Sequence, residues 1–290
     1  MVCRIFSYYT PIFSETMQRS SIIIPPEILD HIFSLLELND PSTWSTLKAC
    51  SDTILNPLLR AVVDRRLYAH IVVTNFKSNR LPGQFYHYDL LRYLSSNPQV
   101  ANYIRTFQIQ IQIPGPSKWY DQSISILRML PSTLRGICLS SRPKVKPSKI
   151  AIVWWPRLHG PFRKAFLNCL RLPYLTDVSM RWIEGVPLSI FNCCAKLERI
   201  SFRQVDCTTS CSDPAQFPPQ ITTLNFDRTS KVPEILSWAQ MGHNLRSLSF
   251  RSEREDHYLL LTKLFHSSSD TLIELELDFA GLGMFGFHVL

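Results

Sequence analysis

Cys193, Cys194, Cys207 and Cys211 fall within 19 residues of one another. Zinc takes four thiolates, and structural sites usually present them as two C-x₂₋₄-C knuckles. Cys207-x₃-Cys211 has that spacing, while the adjacent Cys193-Cys194 does not. A second candidate, G281-L-G-M-F-G286, matches the dinucleotide fingerprint, whose pyrophosphate needs a helix N-terminus directly after the glycines. Only Phe287 to Leu290 follow, too few for that helix. His257 stands beside Glu253, Glu255 and Asp256 in a charged stretch that reads as a solvated loop. There is no H-E-x-x-H and no phosphate-cradling glycine loop, and spacing picks out no nucleophile with a positioned base. Neither an enzyme, a bound metal nor a cofactor is expected.

The remaining chemistry is that of contact. The run S140-S-R-P-K-V-K-P-S-K149 carries Arg142, Lys144, Lys146 and Lys149 between prolines that forbid a helix. It reads as an exposed insertion, and its sharper reading is a basic contact for an acidic or phosphorylated partner. Trp154-Trp155 just beyond it offers either a binding anchor or helix-to-strand packing.

Such residues need a body to hold them. At 290 residues, 45% hydrophobic and 19% charged, the chain can bury a core and is unlike a disordered segment. The net charge of +8 favours acidic surfaces, but the 31 Lys and Arg are spread along the chain, which argues against a nucleic-acid binder. No apolar run approaches the roughly 20 residues of a membrane span. Residues 1–21 lack a secretory pattern and read as a tail; eight cysteines without a signal suggest reduced thiols in the cytoplasm or nucleus.

From Ile24 the chain reads I-P-P-E-I-L-D-H-I-F-S-L-L. On a helical wheel Ile28, Leu29, Ile32, Phe33, Leu35 and Leu36 fall within about 160°, with Glu27, Asp30, His31 and Ser34 opposite. Asp40-Pro41 and Asn56-Pro57 each signal a further helix start. Three short helices make a very small core, and such a unit rarely stabilises itself alone.

These residues, with D-P-S-T-W-S-T-L-K-A-C-S and the closing R-R-L-Y-A-H-I, resemble the F-box family. The resemblance covers residues 22–71. It implies docking on the Skp adaptor, and through it on a cullin, in an SCF (Skp–cullin–F-box) ubiquitin ligase. Carried over by position, Ile24, Pro25, Ile28, Leu29, Ile32, Phe33, Leu47 and Cys50 are the expected adaptor contacts. The middle departs from the family pattern at S51-D-T-I-L-N-P-L-L59. The alternative is an amphipathic end cap on the following domain.

Further along, an apolar frame Φ-x-x-Φ-x-Φ recurs at Ile104/Phe107/Ile109, Leu134/Ile137/Leu139, Leu175/Val178/Met180, Leu197/Ile200/Phe202, Ile221/Leu224/Phe226, Leu245/Leu248/Phe250 and Leu272/Leu275/Leu277. The starts lie 30, 41, 22, 24, 24 and 27 residues apart. Candidate helices alternate with them at 120–130, 161–172, 187–194, 233–241 and 258–266. This resembles the leucine-rich repeats that follow F-boxes in many eukaryotic proteins. The usual asparagine of that frame is replaced throughout, by Gln112, Arg142, Ile183, Val205, Thr229, Glu253 and Ala280, so an irregular arc is expected.

The expected fold is therefore α/β: a three-helix F-box at 22–71, a transition segment at 72–103, and a degenerate leucine-rich-repeat solenoid at 104–290, with parallel strands on the concave face and helices on the convex one. After the last frame the apolar residues Leu282, Met284, Phe285, Phe287 and Leu290 are expected to fold over the open end, unless the natural chain runs further. The resemblance implies a non-catalytic receptor for an unknown protein substrate. Arg181, Arg203, Asp227, Arg228, Arg251 and Asp278, which lie outside the apolar frame, are the candidate target contacts. The other reading is an interaction scaffold whose F-box does not engage the adaptor.

Overall fold

The computed structural model describes residues 28, 43, 45–49, 57–74, 83–111, 117–141, 153–208, 221–229, 244–252, 261–262, 266, 268–279 and 287–289. The chain divides into two compact units, residues 1–69 with 79–83, and residues 70–78 with 84–290.

In the first unit Ile28, Thr43 and residues 45–49 are helical, and α1 spans Pro57–Leu67. Pro57 stands at the first helical position, where its missing N–H costs nothing. Val62, Val63 and Leu67 are buried, while Arg60 and Asp64 form an i,i+4 pair at 3.7 Å along the outer side.

The second unit is α/β. Its strands are β1 (His70–Thr74), β2 (Gln84–Tyr86), β3 (Thr106–Ile111), β4 (Gly136–Ser141), β5 (Val153–Trp154), β6 (Asp177–Pro187), β7 (Arg199–Thr208), β8 (Thr223–Asp227), β9 (Ser247–Ser252), β10 (Glu274–Phe279) and β11 (Phe287–Val289). They form one sheet in the order β11-β10-β9-β8-β7-β6-β4-β3-β1-β2, with β5 added on β6. The described pairings are parallel except that of β11, which runs antiparallel on β10. The helices are α2 (His87–Ser96), α3 (Pro98–Ala101), α4 (Ser117–Met129) and α5 (Gly160–Leu170). The span 187–194, expected to be helical, is a 3-10 helix at Leu188–Cys193 that closes with Cys194 N–H on the Phe191 carbonyl.

Each of the seven apolar frames contributes one parallel strand. In register, Phe107, Ile137, Val178, Ile200, Leu224, Leu248 and Leu275 form one row, and Ile109, Leu139, Met180, Phe202, Phe226, Phe250 and Leu277 a second. Both rows are buried up to β9 and only half-buried on β10. Phe191, Phe202, Phe226 and Phe250 continue this core as a line of rings at centroid separations of 5.6, 6.1 and 6.3 Å. Burying each such side chain contributes about 1.5–3 kcal/mol before ordering costs.

The expected transition segment, 72–103, holds most of β1 together with β2, α2 and α3. The sheet therefore begins at His70, inside the expected helical module. Tyr68, Ile71 and Val73 keep the frame spacing, with a tyrosine in its first position. On the helical side, Trp119 of α4 donates its indole N–H to His87 Nδ1 of α2 at 2.8 Å and stacks on Phe162 of α5. The expected helix at 233–241 lies outside the described residues; at 258–266, Leu261, Thr262 and His266 are helical.

Candidate functional site

Because strand side chains alternate, the residues between the apolar rows share the opposite face of the sheet. Across β6 to β10 three rows run perpendicular to the strands. The first is Asp177, Arg199, Thr223, Ser247 and Glu274. The second is Ser179, Ser201, Asn225, Ser249 and Glu276, and the third Arg181, Arg203, Asp227, Arg251 and Asp278. On β3 and β4 the first two rows continue as Thr106 and Gly136, and as Gln108 and Cys138.

The middle row is built mainly of small polar side chains. It forms the floor of a groove of about 450 Å³ whose lining includes Gln108, Cys138, Ser179, Ser201 and Asn225, with Asp177 and Arg199 on the rim. Cys138 sits here as a free thiol, its pKa raised by burial and drawn back down by Arg181.

Ion pairs tie neighbouring strands together above this floor. Arg199 bonds Asp177, Arg203 Nε lies 2.9 Å from Asp227, and Arg251 Nε lies 3.0 Å from Asp278. Ser249 donates to Glu276 at 2.7 Å, and Gln108 donates to Ser140 at 3.2 Å. These pairs are half exposed, so each contributes at most about 1 kcal/mol. They set which charges remain available.

At the end of the third row, Trp182, Gln204 and Arg228 each take a positive φ, of 57°, 50° and 50°. The left-handed step turns the next residue back inward, so Ile183, Val205 and Thr229 are buried where the regular repeat would place asparagine. Thr229 supplies the polar contact, donating to the Phe202 carbonyl at 3.0 Å. The Trp182 ring lies under the Arg203 guanidinium at 5.3 Å. Its conformation had no signal in the sequence, since left-handed residues are usually Gly, Asn or Asp.

Of the six candidate target contacts, Arg181, Arg203, Asp227, Arg251 and Asp278 stand together in the third row. Arg228 does not: it occupies the left-handed step beyond it. The sequence did not single out Trp182 or the serines of the floor. Trp154 and Trp155 part ways. Trp155 is buried against Phe166, while Trp154 is 47% exposed with Arg157 over its ring at 5.1 Å.

Among the expected adaptor contacts, Ile28 is helical and 50% exposed, whereas Leu47 is 5% exposed. Ile24, Pro25, Leu29, Ile32, Phe33 and Cys50 lie outside the described residues, as do Cys211, His257, 142–150 and 281–286. Cys207 is buried and stands opposite Val186 in register across the strand pair, and no metal-binding cluster occurs among the described residues. No described helix is long and apolar enough to cross a membrane.

Comparison of the chain with protein-family models and with curated proteins finds no match.

Proposed function

We propose that this chain is the substrate-recognition subunit of an SCF-type ubiquitin ligase. The N-terminal residues act as an F-box that binds the Skp adaptor, and residues from β3 onward act as a leucine-rich-repeat solenoid that binds a target protein. The observation that carries the reading is Ile28, a helical residue on the apolar arc of the opening segment whose side chain is left half exposed. An apolar side chain there is what a helix awaiting a partner presents. The repeat reading is supported by the coincidence of all seven apolar frames with strands of one parallel sheet.

The mechanism is proximity. Holding a target and the adaptor on one chain raises the target's effective concentration at the conjugating enzyme without any reacting group from the receptor. A pull-down with the Skp adaptor tests it: wild type binds, and Ile28→Asp abolishes binding while the sheet keeps its melting temperature. Failure of wild type to bind replaces this reading with that of an interaction scaffold outside ubiquitin transfer, which the burial of Leu47 favours.

A further inference from the structure

The polar side chains of the open face are mostly committed to one another, and the exceptions on β6 to β8 are contiguous. Arg181 stands directly opposite Arg203, a like-charge juxtaposition that is unfavourable across a strand pair. Arg203 is neutralised by Asp227 at 2.9 Å, and Arg199 by Asp177. Among the described residues no carboxylate pairs with Arg181. Two residues before it on the same face, Ser179 Oγ is buried against the Cys138 thiol. Ser201 and Asn225 continue that row without side-chain partners, and all three line the groove of about 450 Å³.

An uncompensated guanidinium calls for an acceptor bearing negative charge. A carboxylate matches one free guanidinium. A phosphate dianion does not, because the adjacent arginines are already paired. Beside Arg181 the middle row offers hydroxyl and amide groups that both donate and accept, as peptide groups do. The backbone of the sheet is consumed in its own ladders, so side chains must provide the recognition. Toward β10 the face turns acidic, with Glu274, Glu276 and Asp278 against Arg251 alone.

We propose that an extended peptide segment lies across β6 to β8, with one Asp or Glu carboxylate on Arg181, its adjoining peptide groups on Ser201 and Asn225, and a neutral or basic continuation toward β10. This rests on the sheet face being the target-binding side.

The test is selection of a random dodecapeptide display library on the full chain, followed by affinity measurement on a resynthesised peptide. The expected result is enrichment of a single acidic position. Binding then falls at least tenfold when that acid becomes its amide, and equally in Arg181→Gln, while Arg246→Gln, an exposed arginine off the rows, is unaffected. Ser201→Leu, which fills the floor, gives a second loss that does not depend on how Arg181→Gln folds. Absence of selected peptides, equal affinity for Arg181→Gln, or tighter binding when phosphoserine replaces the acid would overturn it. Adaptor pull-down on the same preparations reads the opening helix alone, so loss of peptide binding with adaptor binding intact rejects this inference and leaves the receptor reading standing.

Discussion

Acidification should destabilise the α/β unit through one side chain, His87. An indole N–H can only donate, so the 2.8 Å bond from Trp119 requires a bare Nδ1 on His87 and hence a neutral ring. His87 is 2% exposed, and burial lowers its pKa from 6.5 to about 3. A hydrogen bond to the Thr74 backbone opposes this without overcoming it. A histidine whose folded pKa lies below its unfolded one contributes stability fully above pH 6.5. It loses that stability as pH falls toward 3, because the unfolded chain binds the proton first. At about 1.4 kcal/mol per pH unit, the loss amounts to about 2 kcal/mol at pH 5 and about 3 kcal/mol at pH 4. Urea unfolding of wild type and His87→Phe between pH 4 and 7.5 measures it. At neutral pH the variant should be less stable by about 1–3 kcal/mol, since the Trp119 N–H is left unpaired. That deficit should close on acidification because the variant lacks this part of the acid slope. Parallel slopes for the two proteins would refute the assignment.

Three further outcomes follow from the packing. Gly185 has φ 68° and the Trp154 indole occupies the space a Cβ would need, so Gly185→Ala should destabilise by more than about 1 kcal/mol. Near-ultraviolet circular dichroism should report the displaced tryptophan. Phe226→Ala, within the line of buried rings, should cost about 3–5 kcal/mol in denaturant unfolding, against a smaller loss for Leu277→Ala at the half-buried edge. Cys193 is drawn down to about 7 by the Cys194 thiol and by Arg171, while burial pushes Cys169 up to about 12. Iodoacetamide at pH 7.5, mapped by mass spectrometry, should label Cys193 ahead of Cys138, Cys169, Cys194 and Cys207.

The apolar frame was legible because a strand buried on one face must place its two inward residues two positions apart. β1 escaped notice since its frame starts on Tyr68 rather than an aliphatic residue. The cross-strand row of charges was visible residue by residue, but pairing depends on register. Nothing in the sequence distinguishes Arg203, neutralised by Asp227, from Arg181, left without a counter-ion. Trp182 was missed for a local reason: bulky residues rarely adopt positive φ, so the step that brings its ring against Arg203 carries no compositional mark. Leu47 was placed on the adaptor side by its position in the F-box resemblance, and a position in a motif does not say how deeply a side chain is buried.

The receptor account is tested most directly by size-exclusion chromatography of the full chain mixed with purified Skp adaptor and cullin. It predicts a single complex containing all three, from which Ile28→Asp is excluded and into which Arg181→Gln still assembles. Elution of the wild-type chain apart from an intact adaptor–cullin pair would contradict it.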